Sequence, residues 1–274
     1  MKQITVQALI NPVFPLWPHW EENGHLLSLY KLKAFFMHEL QKKYRRSILK
    51  LAKASQKIAE KGFVTSQGGN LSYRVDTDVV LITPTKVPKS EVQFEDVVII
   101  NLKGEVLFAS EGRKPTGETP FHLDILKKRP DLTGLVHAHP LAITALAMAH
   151  SDLLSRPLLP EPIIEVGPVL NVKYEEPLSQ ELADAFMPVL MKSNAFLMLN
   201  HGILIGSTTS VLRATELLEM IETTAHSCIL GSQMGEIKEL TKADLAKLDY
   251  TLKTRNLNMP GAPGVNASLV DLYF

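Results

Sequence analysis

From Leu29 to Lys61 apolar positions recur at helical spacing. Ile48, Leu51, Ala52, Ser55, Ile58 and Ala59 share a face, and Gly62 stands where a helix stops. A bend near residues 42–46 divides the stretch into two helices. The period then shortens: 70–75, 79–83, 97–101 and 105–108 are β-prone segments separated by turn residues. A helix is predicted over Thr119–Lys128, with Pro120 tolerated in its first turn. A strand over 134–139 and an Ala-rich helix after Pro140 follow. Residues 163–172 predict a further strand or pair of strands. Pro177-Leu178-Ser179 opens a helix reaching about Met191, disturbed late by Pro188. Strands over 195–199 and 203–205 flank His201-Gly202. A long helix is predicted from about Thr209 to Leu230, and another starts at Thr241 with Asp244 in capping-box spacing. Strands interspersed with helices throughout predict one layered α/β domain.

Ahead of this pattern, residues 1 to about 27 are rich in proline and aromatics (Phe14, Trp17, Trp20). They predict an irregular arm that packs on the body or a neighbouring subunit, or a loose tail. The expected division is 1–42 for the arm and first helix, and 43–274 for the main domain with a C-terminal tail.

Composition narrows the class. The 274 residues suffice for one large domain or two small ones. Lys+Arg and Asp+Glu are 29 each, so no global charge favours nucleic acid or an acidic membrane. A single cysteine, Cys228, excludes an internal disulfide and fits a reducing cytoplasm. No apolar run approaches the roughly 18 residues of a membrane span. Prolines 12, 15 and 18 interrupt the N-terminal apolar patches, so no signal peptide is expected. The expectation is a cytoplasmic protein.

The candidate chemistry centres on His137-Ala138-His139. A strand alternates its side chains, so residues 137 and 139 project to one side, where two imidazoles can chelate one metal ion. Taken alone, the pair is equally met by one buried and one surface histidine. His201, from a distant turn, would complete three nitrogen ligands, which with an open position is the pattern of a catalytic metal site. Glu118 sits where a turn enters a helix. It is either an N-terminal helix acid worth a few tenths of a kcal/mol or a carboxylate able to ligate a metal, or leave it and carry a proton. The turn Gln67-Gly68-Gly69-Asn70, with Thr85, Lys86 and Thr116, offers amides, hydroxyls and an ammonium for an anion, phosphate being the obvious guest. His122, His150 and His226 fall on helical stretches and read as packing or surface residues. Cys228 reads as a small core residue, and residues 42–46 as a solvated helix face.

In order and spacing, Gly69-Asn70-Leu71-Ser72, Ile82-Thr83-Pro84-Thr85, Lys114-Pro115-Thr116-Gly117-Glu118, Val136-His137-Ala138-His139 and Leu199-Asn200-His201-Gly202 resemble the class II aldolase/adducin family. The resemblance runs from about Lys43 to Gly235 and leaves the first forty or so residues unexplained. It implies a three-layer α/β/α fold around a mainly antiparallel sheet, and a homotetramer with active sites between subunits. It implies zinc on His137, His139 and His201, although nitrogen ligands accept manganese or cobalt as well. Glu118 would be the catalytic base, able to complete the resting metal sphere. Asn70, Thr85, Lys86, Thr116 and Gly117 would line a phosphate site.

The chain departs from the family at two of these positions. Aldolases of the family usually place two serines before the acid, where this chain has Thr116 and Gly117, and a glycine where it has Lys86. The expected activity is a lyase cleaving a ketose 1-phosphate to dihydroxyacetone phosphate and an aldehyde through an enediolate. A tyrosine from a neighbouring subunit or the tail, Tyr250 or Tyr273, would protonate the aldehyde oxygen. The alternative is a metal-dependent decarboxylase of a sugar-acid phosphate or other carboxylate, favoured by Lys86. An epimerase is disfavoured because those members carry aspartate at the position of Glu118. A non-catalytic scaffold has no need of a mobile acid.

Overall fold

The computed structural model describes residues 39–257 and 268–274. The N-terminal arm and the first part of the helix expected from Leu29 lie outside the described residues. Helix α1 (Glu39–Lys43) and α2 (Arg45–Glu60) meet at Tyr44, which supplies the expected bend. Its hydroxyl donates to Asp76 at 2.9 Å.

Among the described residues eight strands form one sheet: β1 (Asn70–Asp76), β2 (Val79–Ile82), β3 (Val98–Ile100), β4 (Val106–Phe108), β5 (Gly134–Ala138), β6 (Val169–Val172), β7 (Ala195–Met198) and β8 (Gly202–Ser207). Their order is β4-β3-β2-β1-β5-β8-β7-β6. Every neighbouring pair is antiparallel except β6–β7. The central strands read as nearly continuous apolar runs because helices cover both faces of the sheet. Alternate residues enter different cores. Leu81, Ile99, Val136, Leu197 and Ile203 pack with Ile48, Leu51, Leu218 and Ile221 of α2 and α7 (Val211–Met234). Val80, Val98, Leu135, Phe196 and Leu204 pack with Phe121, Ile125 and Leu182 of α3 (Thr119–Lys128) and α6 (Gln180–Ala185). The result is the expected three-layer α/β/α arrangement with a mainly antiparallel sheet. Helix α4 (Leu141–Met148) joins the first layer.

Two expected elements differ. Residues 160–165 are helix α5 (Pro160–Glu165), not strand; only Val169–Val172 is extended, after Gly167 at φ +79°. Pro160 and Pro162 sit in the first turn, where no backbone N–H is needed. Ile163 is buried with Leu245, Leu252 and Leu269, apart from the sheet. The helix expected from 177 to 191 is only α6, capped by Ser179, whose Oγ accepts from the Leu182 N–H. Pro188 lacks an N–H and disfavours helical geometry at the residue before it, leaving turns to residue 192. Helix α8 (Lys242–Thr254) carries the expected Thr241–Asp244 capping box, and α9 (Leu269–Tyr273) packs on it. Among the described residues no helix is long and apolar enough to cross a membrane.

Candidate metal centre and substrate cavity

The register of the sheet assembles the site. In the β1–β5 pair Asn70 stands opposite His137, and in the β5–β8 pair Ala138 stands opposite Ile203. The turn between β7 and β8, with Asn200 at φ +55°, therefore presents His201 beside the end of β5. Backbones meet closely here. A Cβ on Gly202 would lie 2.5 Å from Ala138 O and from His139 Cδ2, and one on Gly69 2.7 Å from His137 O. Neither position admits a side chain without displacing a histidine strand. The chain leaving His139 is pinned as well, since the Glu222 carboxylate accepts from Ala142 N (2.9 Å) and Ile143 N (3.0 Å) at the start of α4.

The three histidines converge. His137 Nε2 and His139 Nε2 are 3.0 Å apart, and one ligand atom from each of His137, His139 and His201 lies within 4.8 Å of the others. Tetrahedral ligation with bonds of about 2.1 Å spaces nitrogens roughly 3.4 Å apart. The buried His137 lies 2.9 Å through Nδ1 from Ile203 O, which can only accept. Nδ1 thus carries the proton, and Nε2 is left with a lone pair facing the site. His201 Nδ1 is buried with no hydrogen-bond partner among the described residues. Burial, reinforced by the neighbouring imidazoles, pushes His137 and His139 down to about 3, and burial also lowers His201. All three are neutral at pH 7, the state that ligates a metal. The donor set fits a divalent ion.

Glu118 precedes α3 but does not cap it through its side chain. Its buried carboxylate turns inward, with Oε2 3.4 Å from His137 Nε2 and Oε1 3.8 Å from His201 Nε2. A hydrogen-bond chain holds it. Asn70 Nδ2 donates to Glu118 Oε2 at 2.6 Å, and Asn70 Oδ1 faces His122 Nε2 at 2.6 Å. His122 Nδ1 lies 2.8 Å from Ser72 Oγ. An amide oxygen only accepts, so His122 Nε2–H donates to it. The Asn70 amide is therefore oriented with its N–H toward the carboxylate. His122 is wholly buried, and burial pushes it down to about 3.

Sequence reasoning missed the part His122 plays, since its place on a helix predicts packing or a surface position. It stands four residues after Glu118 on α3, a spacing that puts both on one face. Of the other residues read as surface or core, His150 is exposed against Asn200, His226 faces Glu222, and Cys228 is buried.

The remaining predicted positions gather around a cavity of about 230 Å³, lined by Asn70, Thr85, Lys86, Thr116, Gly117 and Glu118 with His139 and His201. His137 forms the buried floor beside them. Two neighbours carry no signal in the sequence, Lys89 and Leu178. Leu178 occupies the space over Gly117, where an added Cβ would come within 2.9 Å of Leu178 Cδ2. Thr116 Oγ1 accepts weakly from Glu118 N at 3.4 Å. Neither Tyr250, which is exposed, nor Tyr273, whose hydroxyl is pushed up by burial, lines the cavity.

Lys86 is exposed with φ +60°, a left-handed conformation that costs a non-glycine residue about 1–2 kcal/mol. Strain kept at a cavity wall points to use. Lys86→Gly is expected to gain about 0.5–1 kcal/mol net of glycine's entropy. The same substitution is expected to raise KM for an anionic substrate. A thermal melt and a KM measurement check both, and an unchanged KM would remove Lys86 from substrate binding.

Comparison with known proteins identifies the family of this fold. Residues 49–229 match the family model for the class II aldolase and adducin N-terminal domain. A 3-oxo-tetronate 4-phosphate decarboxylase from Haemophilus influenzae is 30% identical over 69% of this chain and 90% of its own. A 5-deoxy-D-ribulose 1-phosphate aldolase from Bacillus thuringiensis serovar kurstaki is 32% identical over 76% of this chain and 95% of its own. A solved L-fuculose 1-phosphate aldolase superposes with a TM-score of 0.66 at 26% identity, covering 76% of this chain and 96% of that one.

Proposed function

The chain belongs to the class II aldolase and adducin family, and from that premise we propose that it is a divalent-metal lyase cleaving a ketose 1-phosphate to dihydroxyacetone phosphate and an aldehyde. The observation that carries the reading is a buried carboxylate, tethered through one oxygen only, beside three neutral imidazoles. Glu118 Oε2 is held by Asn70, while among the described residues no hydrogen bond to Oε1 competes with a substrate. His137, His139 and His201 would hold the metal, zinc in this proposal, with Glu118 completing the resting sphere. A divalent ion in such a site supplies, when bound, Lewis-acid stabilisation of the negative charge that develops as the carbon–carbon bond breaks.

The chain's own groups supply the rest. Glu118 Oε1 moves the proton between the substrate carbon and solvent in the condensation direction, and Asn70 fixes the angle at which it does so. Thr85, Lys86, Thr116 and the Gly117 backbone hold the phosphate and set the distance from that anchor to the reacting carbons. The site would be finished by a tyrosine from a neighbouring subunit in a homotetramer.

A second reading, decarboxylation of a sugar-acid phosphate, is favoured by Lys86, a cation where the family's aldolases usually carry glycine. Relatives of both activities resemble this chain at similar identity. Loss of carbon dioxide leaves the same kind of carbanion, so the same metal and carboxylate could serve.

A screen of ketose 1-phosphates against sugar-acid phosphates, with dihydroxyacetone phosphate and carbon dioxide followed separately, separates the two. The expected product is dihydroxyacetone phosphate, from protein whose native mass corresponds to a tetramer. Carbon dioxide release from a sugar-acid phosphate alone would replace the first reading with the second.

A further inference from the structure

We infer that Lys89 is a second cationic anchor for the substrate's phosphate, acting with Lys86 where the Gly-rich turn meets the 84–89 loop. This rests on the reading of the cavity as a sugar-phosphate site.

Lys89 is only 2% exposed and lines the cavity. Its Nζ donates to Gln67 O and Val87 O, both at 3.1 Å. An ammonium has three N–H groups, so one N–H and the whole charge remain unmatched by these neutral carbonyls. Among the described residues no carboxylate lies within ion-pair distance of Nζ, and lysine is almost never buried unless paired. Burial pulls its ammonium down to about 8, which leaves it mostly charged at pH 7.

The position is fixed rather than incidental. Lys89 N donates to Ser66 O at 3.1 Å, and Ser55 Oγ donates to Lys89 O at 3.0 Å. The one acid lining the cavity among the described residues, Glu118, accepts from Asn70 and makes no ion pair with Lys89. An incoming anion is what relieves the cost of such a charge. With Lys86 the cavity presents two ammoniums to match a phosphate dianion, beside the hydroxyls of Thr85 and Thr116.

Calorimetric binding of inorganic phosphate to the metal-loaded full-length protein tests this without relying on turnover. Lys89→Gln is expected to weaken phosphate binding roughly ten- to a hundredfold with unchanged metal content, while Lys89→Arg keeps most of the affinity. Wild-type affinity in folded Lys89→Gln protein would overturn the inference, as would the absence of phosphate binding by the wild type. Loss of affinity in a protein that turns over no sugar phosphate would uphold the anchor and reject the enzyme reading.

Should Lys89→Gln fail to fold, the wild type still decides. Sulfate, which does not titrate in this range, is expected to bind progressively more weakly as pH rises through about 8 and Lys89 loses its proton. The other charged or titratable groups facing the cavity are Lys86, Glu118, His139 and His201. Helix α2 meets this segment through the uncharged Ser55 and Gln56. A sulfate affinity that stays flat across that range overturns the inference.

Discussion

Replacing His139 with alanine is expected to strip the purified protein of its divalent ion and to abolish turnover while leaving the sheet intact. The reasoning is geometric. His139 lies one residue beyond β5 and makes no ladder contact in the β5–β8 register. It is half-buried, whereas His137 is wholly buried between Phe121 and the strand, with ring centroids of His137 and Phe121 5.8 Å apart. Truncating His137 would open a hole in the core; truncating His139 removes one ligand from the edge of the site. The two remaining imidazoles cannot complete a three-nitrogen site, and Gly68, the residue beside the His139 ring, has no side chain to take its place.

Changes to groups that merely orient ligands cost about ten- to a hundredfold in metal affinity, so losing a ligand itself is expected to cost more. Elemental analysis of dialysed wild-type and His139→Ala protein reads the result directly. About one ion per wild-type chain and none in the variant is expected. Full occupancy in the variant would sink the assignment of these histidines. A circular-dichroism melt on the same samples separates loss of metal from loss of fold.

The parts of this site that could be read from the sequence are those governed by short-range rules. His137-x-His139 follows from the alternation of a strand, and that alternation carries on to residue 139 even though β5 ends at Ala138. The Thr241–Asp244 cap and the Thr119–Lys128 helix follow from local hydrogen bonding and from proline's tolerance in a first turn. Where two periods compete, the sequence misleads. Ile163-Ile164 is as β-prone as any strand here, yet it forms α5 because its apolar partners lie on α8 and α9 rather than in the sheet.

Long-range placement is illegible for a different reason. Lys89 and Leu178 carry no motif, and only the meeting of loops distant in the sequence brings them to the cavity wall. His122 is within reach, since its four-residue separation from Glu118 is helical, but an isolated helical histidine gives no sign of what lies across the sheet. Its partners Asn70 and Ser72 sit some fifty positions earlier, on β1. A layered α/β domain, in contrast, follows from strands interspersed with helices, while the two helix layers around a mainly antiparallel sheet follow from the family resemblance.

Glu118→Gln is expected to keep the fold, the metal and the substrate affinity while losing roughly a hundred- to ten-thousandfold in kcat. The substitution is nearly isosteric, and the hydrogen-bond chain dictates how the new amide must sit. Ser72, His122 and Asn70 are mutually satisfied, so Asn70 continues to point its N–H at position 118. The introduced glutamine must answer with its carbonyl oxygen, at the place Oε2 now occupies. Its NH₂ then falls where Oε1 stands, 3.8 Å from His201 Nε2. A group that could take a proton is exchanged for one that can only donate.

The three imidazoles are untouched, so elemental analysis of the variant is expected to match the wild type. The phosphate-facing residues are also unchanged, which holds KM near its original value and confines the loss to kcat. That split distinguishes loss of a proton carrier from general damage to the cavity, which would raise KM as well. Steady-state kinetics on the best substrate from the screen, with metal content measured on the same preparation, reads all three quantities. A kcat within a few-fold of wild type, with metal bound, would remove Glu118 from proton transfer and leave it as a ligand alone.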